Sequence, residues 1–325
     1  MTATLLEVND LQKTFTVRRG FPRTETVHVK ALSGISFRIA EGEAFGLVGE
    51  SGCGKSTAGR ALLRLIEPDG GQVLYRGENF LTAPGHRLRQ LRQKLQIVFQ
   101  DPFASLNPRR TVGQTLAEPM YVHRLGNREE IQARVESVLD EVGLPRAAVE
   151  KYPHEFSGGQ RQRIGIARAL VLEPELIVAD EPVSALDVSI QAQILLLLDG
   201  LKVRRGLSFL FISHDLGVVR HFCKRVAVMY LGRIVEEGPT EEIFDGPLHP
   251  YTQALRDASP VPDPRAKVTM ARLEGEVASA INPPSGCHFH PRCPHAMDRC
   301  RVEYPKLRAV APGRQVACHL HDMAA

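Results

Sequence analysis

The chain has 325 residues, 43% of them hydrophobic and 24% charged, enough at roughly 150 residues per domain for one large or two ordinary domains with a real core. Its 41 Lys and Arg stand against 37 Asp and Glu, and a net charge of +4 spread over this length gives no support for a nucleic-acid or anionic-membrane partner. No segment approaches the ~18 consecutive apolar residues of a membrane helix, and the opening MTATLLEVNDLQKTF lacks the basic start and apolar run of a secretion signal, so a cytoplasmic location is expected.

In chain order, residues 43–48 (EAFGLV) read as a strand, GESGCGKS as a glycine-rich loop, and TAGRALLRLIE as a helix stopped by Pro68. Further on, Ile131, Val135, Val138, Leu139 and Val142 recur at helical spacing, which predicts a helical insertion between Gln100 and the motif near Ser157. LIVAD, SFLFI and VAVMY are short apolar runs of the kind buried in a mostly parallel sheet. Alternation of such runs with helical patterns predicts an α/β fold.

After GRIVEEG the character changes, with ten prolines between Pro239 and Pro294, Pro260, Pro262 and Pro264 among them. That density disfavours long helices and central strands. Residues 1–240 are therefore expected to form the main domain, with a helical subdomain at about 101–172. Residues 241–325 are expected to form an irregular extension that needs another source of stability.

Gly49, Glu50, Ser51, Gly52, Cys53, Gly54, Lys55 and Ser56 match GxxxxGK[ST] between an apolar strand and a helix. In that setting backbone N–H groups and the helix N-terminus converge on phosphates, Lys55 reaches the β- and γ-phosphates, and the Ser56 hydroxyl ligates Mg²⁺. Cys53 reads as a small filler in the loop. Leu176 to Glu181 is an apolar strand ending in two carboxylates, the arrangement needed if Asp180 supports the metal and Glu181 orients the attacking water. Ser157, Gly158, Gly159 and Gln160 read as a helix start, with Ser157 as N-cap and free N–H groups for an anion.

With FSGGQRQR, LIVADEP and the phosphate loop together, roughly residues 5–255 resemble the nucleotide-binding subunits of ABC transporters, P-loop ATPases with a helical signature subdomain. The resemblance implies a role for Gln100 in IVFQDP as the residue that senses γ-phosphate and Mg²⁺ and couples to membrane subunits. It implies that Ser184 to Asp187 form the loop whose Asp187 reaches the nucleotide interface, that His214 in FISHD contacts γ-phosphate, and that Phe15 stacks on adenine. It also implies a head-to-tail pair of cassettes, with ATP between residues 49–57, ending at Thr57, of one and Ser157 to Gln160 of the other.

GESGCGKST, FQDPFASLNPRRTVGQTLAEP and LHPYTQAL are similar to the oligopeptide and dipeptide importers, specifically their second ATPase subunit. This implies two integral membrane permeases as partners and a homologous ATPase subunit rather than a second copy. It further implies an extracytoplasmic peptide-binding protein acting indirectly, no nucleic acid, and a peripheral position on the cytoplasmic side of the inner membrane. A soluble ABC-type ATPase working on nucleic acid or in metal-cluster assembly is the alternative.

Cys287, Cys293, Cys300 and Cys318 fall in the proline-rich tail, and reducing conditions favour metal ligation over disulfides. Their spacing leaves tetrahedral zinc, with or without nearby His, and an iron–sulfur cluster both open. The importer resemblance favours a [4Fe-4S] cluster with zinc as alternative. Cys223 stands apart as a packing residue.

Overall fold

The computed structural model describes residues 3–19, 24–258 and 279–322; Pro260, Pro262 and Pro264 lie outside them. The chain divides into two compact units, one built on residues 82–212 with 40–43, the other on 4–39, 44–81 and the chain from 213 onward.

In the first unit, strands Leu95–Val98, Leu176–Asp180 and Ser208–Ser213 run parallel, with Leu176–Asp180 in the middle. Both the LIVAD and the SFLFI strand are buried along their whole length, as uninterrupted apolar runs require when both faces are covered. The helical insertion expected between Gln100 and Ser157 is present as Val112–His123 and Arg128–Glu141, and helix Gly158–Leu170 follows it. Each of these helices starts with a capping box, Thr111 with Gln114, Asn127 with Glu130, and Ser157 with Gln160, which satisfies two otherwise orphaned N–H groups at a time. Ile131, Val135, Val138, Leu139 and Val142 are buried, as their spacing predicts. Helix Val188–Arg205 follows, and Arg205 from its last turn donates through Nε and Nη2 to the Glu141 carboxylate.

In the second unit, strand Ala44–Val48 runs parallel to Arg225–Tyr230, which pairs antiparallel with Arg233–Pro239. Two short strands of the tail, Arg314–Val316 and then Arg308–Ala311, extend the sheet from Arg233–Pro239. The VAVMY strand of this unit thus has a parallel neighbour on one side and an antiparallel one on the other. The tail is not wholly irregular: residues 308–316 form a hairpin turned by Pro312 and Gly313, where proline sits in the turn and removes no ladder hydrogen bond. A second sheet orders Glu25–Ala40, Thr4–Arg19, Gly70–Tyr75 and Glu78–Asn79. The sequence reading does not foresee it, since a bulge between Asn9 and Gln12, with Asp10 at φ 49°, breaks the alternation of its strand Thr4–Arg19.

The helix after the phosphate loop spans Lys55–Leu62 and does not extend to Pro68. Arg64 takes φ 51°, its N–H donates to the Ala61 carbonyl, and the Leu65 N–H reaches back to Arg60. This doubly bonded left-handed turn closes the helix one turn before proline could. LHPYTQAL forms the expected turn into a short helix, Pro250–Ala258.

Candidate nucleotide site

The phosphate loop leaves the buried strand Ala44–Val48 and enters helix Lys55–Leu62. Gly54 is the N-cap at φ 108°, with no side-chain cap on the helix, and a helix N-terminus of this kind suits an anion. A Cβ at Gly54 would lie 2.2 Å from the Ala31 carbonyl oxygen, and one at Gly49 2.2 Å from that of Met229. Only glycine fits at these two positions. Lys55 is 4% exposed, and its Nζ donates to the Gly49 and Glu50 carbonyl oxygens at 2.7 and 3.0 Å. The ammonium is therefore held inside the loop. Cys53 is buried, which raises its thiol pKa, and its carbonyl accepts from Gly232 N–H at 2.9 Å. It packs and anchors, as a filler should, and is no nucleophile.

Ser51, Gly52, Ser56 and Thr57 complete the loop and the first helical turn. Phe15 is half-buried on Thr4–Arg19, with the Lys13 ammonium 5.6 Å from its ring centroid and paired to Asp69 at 2.9 Å. His214 is exposed at the end of Ser208–Ser213, and the next residue, Asp215, caps helix Leu216–Phe222 by accepting from Gly217 N–H at 2.7 Å.

In the other unit, Asp180 ends its strand fully buried. Glu181 follows at φ 47°, a strained region for a residue with a side chain. Its N–H donates to Ile212 carbonyl at 3.0 Å, and its Oε2 accepts from Gln100 Nε2 at 3.1 Å. The sequence-predicted base and the predicted sensor glutamine are therefore in direct contact. Ser184 Oγ donates to the Glu181 carbonyl at 3.1 Å, linking the Ser184 to Asp187 loop to the same turn.

Ser157 Oγ accepts from Gln160 N–H, and Gln160 Oε1 accepts from Ser157 N–H at 3.0 Å, confirming the predicted N-cap. Ser157 and Gln160 are exposed. A Cβ on Gly159 would meet Ile190 at 2.5 Å, so glycine lets this helix start approach helix Val188–Arg205, which Asp187 precedes.

Sequence reasoning missed two residues that touch the phosphate loop. The Tyr251 hydroxyl accepts from Glu50 N–H at 2.7 Å, and both terminal nitrogens of Arg292 donate to the Glu50 carboxylate at 2.9 and 3.0 Å. Tyr251 lies in LHPYTQAL, a segment singled out by resemblance with no contact assigned to it. Nothing in local spacing marks Arg292.

The tail cysteines do not form the ligand group of a single metal ion: no such group of three or more His, Cys, Asp or Glu is found among the described residues. Burial pushes the Cys287 thiol up to about 11 and the Cys318 thiol up to about 12, with smaller upward contributions from neighbouring thiols. The expected metal site is therefore not present as a ready-made ion cage. Also among the described residues, no helix is long and apolar enough to cross a membrane.

The family model described as ABC transporter matches residues 32–184, and that described as oligopeptide/dipeptide transporter, C-terminal region, matches residues 235–300. The oligopeptide transport ATP-binding protein AppF of Bacillus subtilis is 51% identical over 322 residues, 98% of each chain. A probable peptide ABC transporter ATP-binding protein of Sinorhizobium fredii, y4tS, is 51% identical over all of this chain and 92% of its own. Among solved structures, cbiO1 of Clostridium perfringens, part of an ABC transporter complex, superposes with a TM-score of 0.63 at 29% identity, covering 75% of this chain and 92% of that one. The ATP-binding cassette MJ0796, a dimer in a post-hydrolysis state with ADP and Pi, gives a TM-score of 0.63 at 28% identity over 72% of this chain and 98% of that one. The chain therefore belongs to the ABC transporter family, as an ATP-hydrolysing subunit of its oligopeptide/dipeptide branch.

Proposed function

We propose that the chain powers import of dipeptides or oligopeptides as one of two cassettes that close head to tail on ATP at the cytoplasmic face of the inner membrane. The observation that carries the reading is the uncapped N-terminus of helix Lys55–Leu62 with buried Lys55 beside it, a constellation suited to polyphosphate. Lys55 binds the β- and γ-phosphates, Phe15 stacks on adenine, and His214 contacts γ-phosphate. Glu181, positioned by Gln100, takes the proton of the attacking water. Ser157, Gly158, Gly159, Gln160 and Asp187 face the ATP of the partner cassette. Ser56, Gln100 and Asp180 offer the oxygen donors Mg²⁺ prefers; the ion supplies charge neutralisation on the phosphates.

Residues 1–240 act as the nucleotide domain, with the helical subdomain at 101–172, and residues 241–325 as the transporter-type extension. The dimeric cassette MJ0796 and the peptide-transport names of the relatives support this reading. A homologous ATPase is the expected partner, with two permeases and, through them, a peptide-binding protein. Phe103, Tyr121 and Val122 are exposed on the segment after Gln100, where apolar side chains are open to a permease loop. The test is reconstitution with the permeases in liposomes. ATP-dependent peptide uptake is expected; hydrolysis stimulated by nucleic acid and indifferent to permeases would overturn the reading.

A [4Fe-4S] cluster on Cys287, Cys293, Cys300 and Cys318 is part of this proposal. The Cys287 N–H donates to the Cys300 carbonyl at 2.8 Å, which brings two of the four cysteines together, and a cluster spreads its ligands more widely than one ion does. When bound it supplies cross-linking to a tail with little core of its own.

A further inference from the structure

We propose that Tyr251 and Arg292 are positioning residues of the phosphate loop, holding Glu50 by backbone and side chain so that ATP affinity depends on the C-terminal segment. The proposal rests on the reading of this loop as the ATP site.

A glycine-rich loop gives its N–H groups to phosphate only if it is held in one conformation; a loop that must be ordered on binding loses affinity by the cost of ordering it. Glu50 is the loop's second residue. Its N–H is taken up by the Tyr251 hydroxyl at 2.7 Å, which holds that peptide in place. The ring that carries this hydroxyl cannot drift: Tyr251 is fully buried, 4.6 Å from Tyr230 and 5.5 Å from Phe289 between ring centroids.

The turn that delivers the ring is equally tied. Leu248 and His249 N–H groups each donate to the buried Glu236 carboxylate at 2.9 Å, and Tyr251 N–H donates to His249 Nδ1 at 3.0 Å. Arg314 balances the charge of Glu236 at 3.0 Å. His, Pro and Tyr at 249–251 thus act together: the imidazole and the carboxylate set the turn, and the turn aims the phenol at residue 50.

Arg292 serves the electrostatics. Its side chain is 6% exposed and grips Glu50 through two parallel hydrogen bonds, the strongest geometry for such a pair. A carboxylate in the phosphate loop would repel the triphosphate if left unpaired; Arg292 cancels its charge and fixes its rotamer. An ion pair spanning 242 residues of sequence makes the tail part of the loop that binds the nucleotide.

The test uses the full chain, with ATP affinity from a fluorescent ATP analogue and kcat and KM from the assembled transporter. Arg292→Met should weaken ATP binding about tenfold with kcat within about threefold, the size of one uncompensated charge near the phosphates. Glu50→Gln added to Arg292→Met should recover most of that loss, because no charge is left to repel the nucleotide. Tyr251→Phe, which keeps the ring and removes only the hydroxyl, should weaken binding about three- to fivefold. Wild-type affinity in both single variants, or a double variant no tighter than Arg292→Met, would overturn the proposal, since a strut that merely stabilises the fold is not rescued by removing its partner's charge. If Arg292→Met does not fold, Tyr251→Phe decides alone. Failure of the unaltered chain to bind ATP would instead sink the nucleotide reading itself.

Discussion

Gln100 and Glu181 come from segments 81 positions apart and meet at 3.1 Å, Nε2 to Oε2. Their meeting follows from strand register. Val98 pairs with Ala179 in the parallel ladder, and two residues on, where both strands have ended, the amide and the carboxylate face each other. The left-handed backbone of Glu181 and its N–H bond to Ile212 fix the carboxylate there.

Glu181→Gln should bind ATP as before and hydrolyse it about 10²–10⁴-fold more slowly, because an amide cannot accept the proton of the attacking water. Single-turnover hydrolysis alongside equilibrium binding separates the two. Wild-type turnover would remove Glu181 from the chemistry.

Lys55→Ala should act on binding itself, weakening ATP affinity by about tenfold or more, since it removes the buried ammonium that sits at the Gly49 and Glu50 carbonyls. Titration with ATP and with ADP measures it. Unchanged affinity would contradict the phosphate-loop assignment.

Burial holds the His249 imidazole down at about 3 against an ordinary value of 6.5, and its Nδ1 accepts the Tyr251 N–H only while unprotonated. The neutral form is favoured by the fold, so its contribution is complete above pH ~6.5 and is lost as pH falls toward 3. Unfolding free energy should therefore fall more steeply over that window in the wild type than in His249→Asn, whose side-chain oxygen can accept the same bond without titrating. Parallel slopes in denaturant titrations at a series of pH values would reject the assignment.

Protein purified without oxygen should carry about four irons and four acid-labile sulfides per chain, lost in Cys293→Ser. Metal and sulfide analysis with an absorbance spectrum measures this. One zinc without iron would replace the cluster with a plain zinc site, and neither metal would leave the tail held by Arg292, Arg314 and its edge strands alone.

Local chemistry is legible in the chain as written. The phosphate loop, the carboxylates at 180 and 181, the cap at Ser157 and the buried face from Ile131 to Val142 all announce themselves by residue type and short spacing, because each needs only its immediate neighbours to form. The end of the first helix at Leu62 and the sheet of Thr4–Arg19 are less legible. One is closed by a non-glycine residue in the left-handed region, and the other loses its alternation at a bulge.

What sequence alone determined is therefore the family: an ABC ATPase with a phosphate loop, a strand ending in two carboxylates, a capped helix start at Ser157 and an importer-type tail. Tertiary structure alone decided the contact of Gln100 with Glu181 and the grip of Tyr251 and Arg292 on Glu50. The physical reason is range: a cap or a phosphate loop is set by bonds within a few residues, whereas the partner of a side chain across 81 or 242 positions is chosen by strand register and by which buried surfaces the whole chain brings together.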